Sequence, residues 1–153
     1  MKTPKIIIFL FLLTSLAACS SSSSKEASGD GTTIQLTKSA FISDVFDYEK
    51  NKEWKYQGDM PCIIDFYADW CRPCKMVSPI MEELATKYKG KIKIYKVNTD
   101  KEPDLSRAFN ISSIPAVFFI PMAGEPQMNV GAMAKEDYEK VINDFLLKSN
   151  TKQ

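Results

Sequence analysis

The chain is 153 residues long with 44% apolar and 25% charged side chains, the balance of an ordinary globular domain and not of a disordered or fibrous chain. Its 20 Lys and Arg stand against 19 Asp and Glu, so no basic excess points to nucleic acid. Histidine is absent, which removes the usual general base and the commonest metal ligand and leaves cysteine, carboxylate, lysine or tyrosine to carry any chemistry.

Residues 1–18 open with Lys2 and Lys5 and run on through an apolar stretch from Ile6 to Leu13, too short to span a bilayer comfortably. A basic segment followed by a short apolar one is the pattern of a cleaved secretory signal. The closing run Leu16-Ala17-Ala18-Cys19 resembles a bacterial lipoprotein signal, which implies a lipid-modified Cys19 at the new N-terminus. The plainer alternative is an ordinary signal whose cysteine is coincidental; small residues before Cys19 and serines after it favour the lipoprotein. Several acyl chains are what stable anchoring requires. Residues 19–31 then make a Ser- and Gly-rich tether with a reach of about 20 Å, followed by a domain over 32–149 and a tail over 150–153. The expected location is the bacterial cell envelope, membrane-anchored and facing the periplasm, where disulfides form and persist.

Within the domain, the alternation at residues 32–37 predicts a short strand. Phe41, Ile42, Val45 and Phe46 predict a helix over 38–50. Residues 62–67 form a nearly continuous apolar run, as expected of a strand buried on both faces, interrupted only by Asp65. A long helix over 72–89 follows, with Met76, Ile80, Leu84 and Tyr88 as its apolar stripe, Pro79 as an expected kink and Gly90 as its stop. Residues 91–97 alternate as a strand, 103–109 suit a short helix, and 116–120 read as a second buried strand. A turn at Gly124 and Glu125 leads to a short strand through Met128 and Val130, and a helix over 135–148 closes the chain. Strands alternate with helices early and pair as a hairpin late, which predicts an α/β fold: a three-layer α/β/α sandwich around a central mixed sheet.

The chemistry concentrates at Trp70-Cys71-Arg72-Pro73-Cys74. Cys-x-x-Cys beside a β-α-β pattern is the standing example of a thioredoxin-like redox motif. Cys71 falls where the strand has ended and the helix begins, so exposed N–H groups and the helix dipole favour its thiolate. Cys74 lies one turn on, within reach of a mixed disulfide at Cys71.

The run from Asp65 to Lys75, the pair Ile114-Pro115 and the glycines Gly124 and Gly131 together resemble the thioredoxin family over roughly residues 32–149. The resemblance implies a thioredoxin fold, a Cys71–Cys74 disulfide in the oxidised state and a thiol-disulfide oxidoreductase that needs no cofactor. It implies that Asp65 is the buried acid assisting proton transfer at Cys74, with Lys96 as its lysine partner. It implies that Pro115 is a cis proline against the dithiol, exposing backbone to an extended substrate, with Trp70 and Ile114 as an apolar lip. On the residues alone, Asp65 reads equally as a polar strand end, Pro115 as the start of a strand and Trp70 as packing. Arg72 departs from the glycine usual in the family; a cation there favours the thiolate and a somewhat more oxidising couple. Cys62, a strand's length away, reads as a small buried residue, with oxidation or an intermolecular bridge as the alternative.

The function expected is reduction or isomerisation of disulfides in exported proteins by a monomer drawing electrons from a membrane-embedded dithiol donor. Disulfide-oxidising relatives commonly carry a helical insertion for which the spacing from Cys74 to Pro115 leaves no room. That oxidising variant and a redox-inactive binding or assembly lipoprotein are the alternatives. A metal site is the remaining rival, and without histidine or a second close cysteine pair a closed four-ligand zinc site has too few ligands.

Overall fold

The computed structural model describes residues 31–148; the leader, Cys19, nearly all of the tether and the tail lie outside them. Its elements in chain order are β1 Thr33–Gln35, α1 Lys38–Asp44, β2 Cys62–Tyr67, α2 Arg72–Lys87, β3 Lys93–Asn98, α3 Pro103–Ala108, β4 Ala116–Ile120, β5 Gln127–Val130 and α4 Lys135–Val141. α4 continues as a wider π-helical stretch over Ile142–Leu147.

The strands form one mixed sheet in the order β1-β3-β2-β4-β5. β1 and β2 both run parallel to β3, while β4 is antiparallel to its neighbours β2 and β5. Alternation along β2 sends Ile64 and Phe66 into a cluster with Phe41 of α1, Val45 just after it and Leu105 of α3, and sends Ile63 to the opposite face against Val77, Met81 and Leu84 of α2 and Tyr138 of α4. Helices thus cover both faces, as the sequence pattern predicts. Each such large apolar side chain removed from water contributes about 1.5–3 kcal/mol.

β2 and β4 fall where the apolar runs predict them, because both are central strands buried on both faces. Three elements differ. α1 ends at Asp44, six residues early: the N–H groups of both Val45 and Phe46 bond to the Phe41 carbonyl, and the chain then leaves the helix. Residues 47–61 instead lay Tyr48, Trp54 and Tyr56 over that face of the core. In α2 the buried stripe is Cys74, Val77, Met81, Leu84 and Ala85, whereas Met76 is 67% exposed. Turning Cys74 inward carries the positions three and seven residues on with it, so Val77 and Met81 replace Met76. α2 also runs through Pro79, which occupies an exposed position. Lastly, β3 is buried on both faces despite its alternating lysines, since it lies between β1 and β2; Lys96 is only 7% exposed.

Candidate active site

The site is built where β2 stops at Tyr67 and α2 starts at Arg72. Cys71 caps the helix: its backbone is extended (φ −74°, ψ 107°), and its Sγ accepts the Cys74 N–H at 3.2 Å. The Cys71 N–H in turn donates to the Ala68 carbonyl at 3.1 Å, closing the turn that leads into the helix. A sulfur at this position faces N–H groups with no partner inside the helix, so its anionic form is the one stabilised. Pro73 in the first turn costs no backbone bond.

Cys71 and Cys74 are joined as a disulfide, with an S–S distance of 2.06 Å and Cα atoms 5.3 Å apart. Both are buried, packed with Ala68, Tyr67 and Ile114. Ile114–Pro115 is a cis peptide bond, and the Pro115 carbonyl accepts the N–H of Gly131 at 2.8 Å. Gly131 has φ +98°, a conformation that a β-carbon disfavours. The loop before β4 is thereby tied to the end of β5, with Ile114 against the dithiol. Trp70 is 70% exposed, and its indole N–H donates to Asp100 Oδ2 at 2.9 Å.

Asp65 is fully buried on the α2 face of the sheet, its Cα paired with Lys96 of β3 on one side and Val117 of β4 on the other. Asp65, Tyr67, Cys74, Lys75, Ser78 and Lys96 share the wall of a cavity of about 160 Å³. Neither carboxylate oxygen has a hydrogen-bond partner among the described residues. Burial pushes the Asp65 carboxyl up to about 6, against the opposing attraction of Lys96. The Lys96 ammonium does not bond to it. Nζ donates instead to Ser78 Oγ and lies 5.0 Å from the centre of the Tyr67 ring.

Of the residues singled out from sequence, the fold therefore gathers Cys71, Cys74 and Ile114 in one cluster, sets Pro115 beside Ile114, and puts Asp65 and Lys96 in the cavity that Cys74 also lines. Cys62 opens β2 at its other end, unpaired with the dithiol and buried, with burial pushing its thiol up to about 12. Sequence reasoning passed over Ser78, Tyr67 and Asp100. Ser78 carried a legible signal: it stands four residues after Cys74, so a helix must bring the two to one face. Tyr67 and Asp100 carried none, because their contacts join separate elements. Among the described residues no group of three or more His, Cys, Asp or Glu side chains is placed to hold a metal ion.

Residues 33–144 match the family model for thioredoxin. The chain belongs to the thioredoxin family. It is 51% identical over 112 residues to a thioredoxin of Borreliella burgdorferi, covering 73% of this chain and 96% of that protein. It is 37% identical over 112 residues to thioredoxin 1 of a Nostoc species, covering 73% and 95%, and 38% identical over 105 residues to the chloroplastic M-type thioredoxin of Spinacia oleracea, covering 69% and 58%. Thioredoxins are protein-disulfide oxidoreductases acting on disulfide-containing proteins, and this thioredoxin-family chain carries the dithiol for that exchange at Cys71 and Cys74.

Proposed function

We propose that the chain is an exported, membrane-tethered thioredoxin that reduces or isomerises disulfides in exported proteins and is recharged by a membrane-embedded dithiol donor. The observation that carries the reducing direction is the buried Asp65 carboxylate, without a hydrogen-bond partner among the described residues, in the cavity that Cys74 also lines. Such a base suits a reductase, in which Cys74 must lose a proton before it can attack.

The exchange runs in two steps. The Cys71 thiolate attacks one sulfur of a substrate disulfide, forming a mixed disulfide and expelling the other substrate sulfur as thiolate. Asp65 then takes the Cys74 proton, Cys74 attacks Cys71 Sγ, and the second substrate thiolate leaves. The substrate has gained two electrons, and the Cys71–Cys74 disulfide has formed. The cis peptide at Pro115 and the exposed Trp70 flank the dithiol with backbone and apolar surface suited to an extended substrate strand. Between α2 and Pro115 the chain has only β3 and α3, the compact form of the fold.

The export and tether rest on the sequence: the basic and apolar leader, Leu16-Ala17-Ala18-Cys19 and the serine tract. Among the described residues no helix is long and apolar enough to cross a membrane. The family match begins at residue 33, downstream of leader and tether.

Trapping the thiols of cells in acid tests the direction. A mostly reduced Cys71–Cys74 pair is expected, and a mostly oxidised resting pair overturns the reductase reading. In the same cells, Cys19→Ser is expected to move the protein from the membrane to the soluble fraction.

A further inference from the structure

Lys96 and Asp65 are partners across adjacent parallel strands, both on the face toward α2 and both lining the cavity beside Cys74. Neighbouring strands lie about 4.8 Å apart, so a four-carbon lysine stem could fold its ammonium onto the carboxylate. Buried opposite charges ordinarily close into an ion pair with every available hydrogen bond made. Here they do not. Both Asp65 oxygens are without a hydrogen-bond partner among the described residues, while Lys96 Nζ donates to Ser78 Oγ and sits over the Tyr67 ring.

We propose that Ser78 is a positioning residue for proton transfer at Cys74: its hydroxyl holds the Lys96 ammonium against α2 and so keeps Asp65 out of an ion pair. The inference rests on Asp65 being the acceptor of the Cys74 proton. Ser78 stands one helical turn after Cys74 on α2, so one rigid element carries both the resolving sulfur and the group that restrains the lysine. The other titratable groups near Asp65 leave Lys96 as its one close cation on the sheet: Tyr67 ends its own strand, Cys74 and Lys75 come from α2, Asp69 from the turn after β2 and Tyr138 from α4, while β4 offers the uncharged Val117.

The chemical consequence follows from the strength of the base. A carboxylate locked to an ammonium is a weaker base and takes a thiol proton less readily. With the ammonium held by Ser78, Lys96 still attracts the charge that develops on Asp65 but leaves its oxygens open to the proton. No electrons move in this step; the proton passes from Cys74 Sγ to an Asp65 oxygen before the sulfur attacks Cys71.

Two measurements on the full-length protein test this. The first is the titration of the Asp65 carboxyl carbon by NMR in the oxidised form, and the second is the pH dependence of Cys74 attack on a small-thiol adduct at Cys71. Ser78→Ala is expected to lower the Asp65 midpoint by about one pH unit, to move the pH profile down with it and to slow release at neutral pH several-fold. Ser78→Thr, which keeps the hydroxyl, is expected to restore both, and in a Lys96→Gln background Ser78→Ala is expected to shift neither. An unchanged midpoint in Ser78→Ala overturns the proposal, even where the variant is less stable, as does an equal shift without Lys96. Asp65→Asn separates this from the reading beneath it. If Asp65→Asn leaves release unchanged, Asp65 is not the acceptor; if it slows release while Ser78→Ala leaves the midpoint in place, only the role of Ser78 falls.

Discussion

Asp65 and Lys96 are paired in register on neighbouring strands, yet the lysine ammonium donates its hydrogen bond to Ser78 Oγ and the carboxylate has no hydrogen-bond partner among the described residues. An unpaired carboxylate in a buried strand is costly to ionise, and that cost links the site to the stability of the fold.

The sign of the linkage follows from the raised carboxyl. Burial lifts Asp65 from 3.8 to about 6, so between these values the folded protein keeps a proton that the unfolded chain has released. Stability therefore falls as pH rises through this window, by about 3 kcal/mol in all, and stays lowered above it. Asp65→Asn removes the ionisation and is expected to stabilise the oxidised protein by about 2–3 kcal/mol near pH 7.5, with the gain shrinking below about 1 kcal/mol near pH 4. Urea unfolding of both proteins at the two pH values measures this. A gain independent of pH would show that the carboxylate charge is not its source.

The same substitution should damage turnover while it stabilises the fold. Without a base beside Cys74, resolution of the mixed disulfide near neutral pH is expected to slow about tenfold or more, while the first attack by Cys71 keeps its rate. Raising the pH should recover the loss as Cys74 ionises unaided. Rapid-mixing kinetics with a chromogenic disulfide resolve the two steps, and equal slowing of both would count against a role confined to Cys74.

Arg72 lies exposed in the first turn of α2, next to the attacking sulfur. Its charge favours the thiolate and hence the reduced form, so Arg72→Gly should make the couple more reducing. Solvent screening limits the change to roughly 20 mV or less, the equivalent of an exposed ion pair worth at most about 1 kcal/mol. Equilibration with a glutathione series measures it, and an identical potential in the variant would remove Arg72 from the account.

The Trp70 ring is tied down by the 2.9 Å bond from its indole N–H to Asp100. Asp100→Ala should leave stability within about 1 kcal/mol of wild type, because the pair lies at the surface. The ring should gain freedom beside Cys71, with lower fluorescence anisotropy for Trp70 and a KM for protein disulfides raised a few-fold at near-constant kcat. If kcat falls instead while KM holds, Asp100 acts on the chemistry and not on the apolar lip.

Legibility in the sequence followed burial. β2 and β4 were readable to the residue because both faces of each strand are covered, so their runs are apolar throughout. The late hairpin and the closing helix were readable from turn residues and period. The end of α1 was not, since residues 47–61 keep aromatic residues without keeping the helix, and their packing depends on a sheet that forms elsewhere in the chain. The outward turn of Met76 was missed because helical period alone does not say which of two adjacent apolar stripes faces the sheet.

By itself the sequence determined the dithiol, its place at a helix start and the compact α/β plan, because cysteine spacing and apolar period are local and the helix supplies the rest of the geometry. The secretory leader and lipidated Cys19 expected from the sequence lie outside the described residues. Only the tertiary structure decided which groups Asp65, Lys96 and Trp70 meet. Lys96 reaches a serine 18 positions earlier, Trp70 an aspartate 30 positions later, and Asp65 no hydrogen-bond partner among the described residues. Polar partners across a sheet are chosen by register and by which side chain the covering helix presents, and neither leaves a periodic trace in the chain.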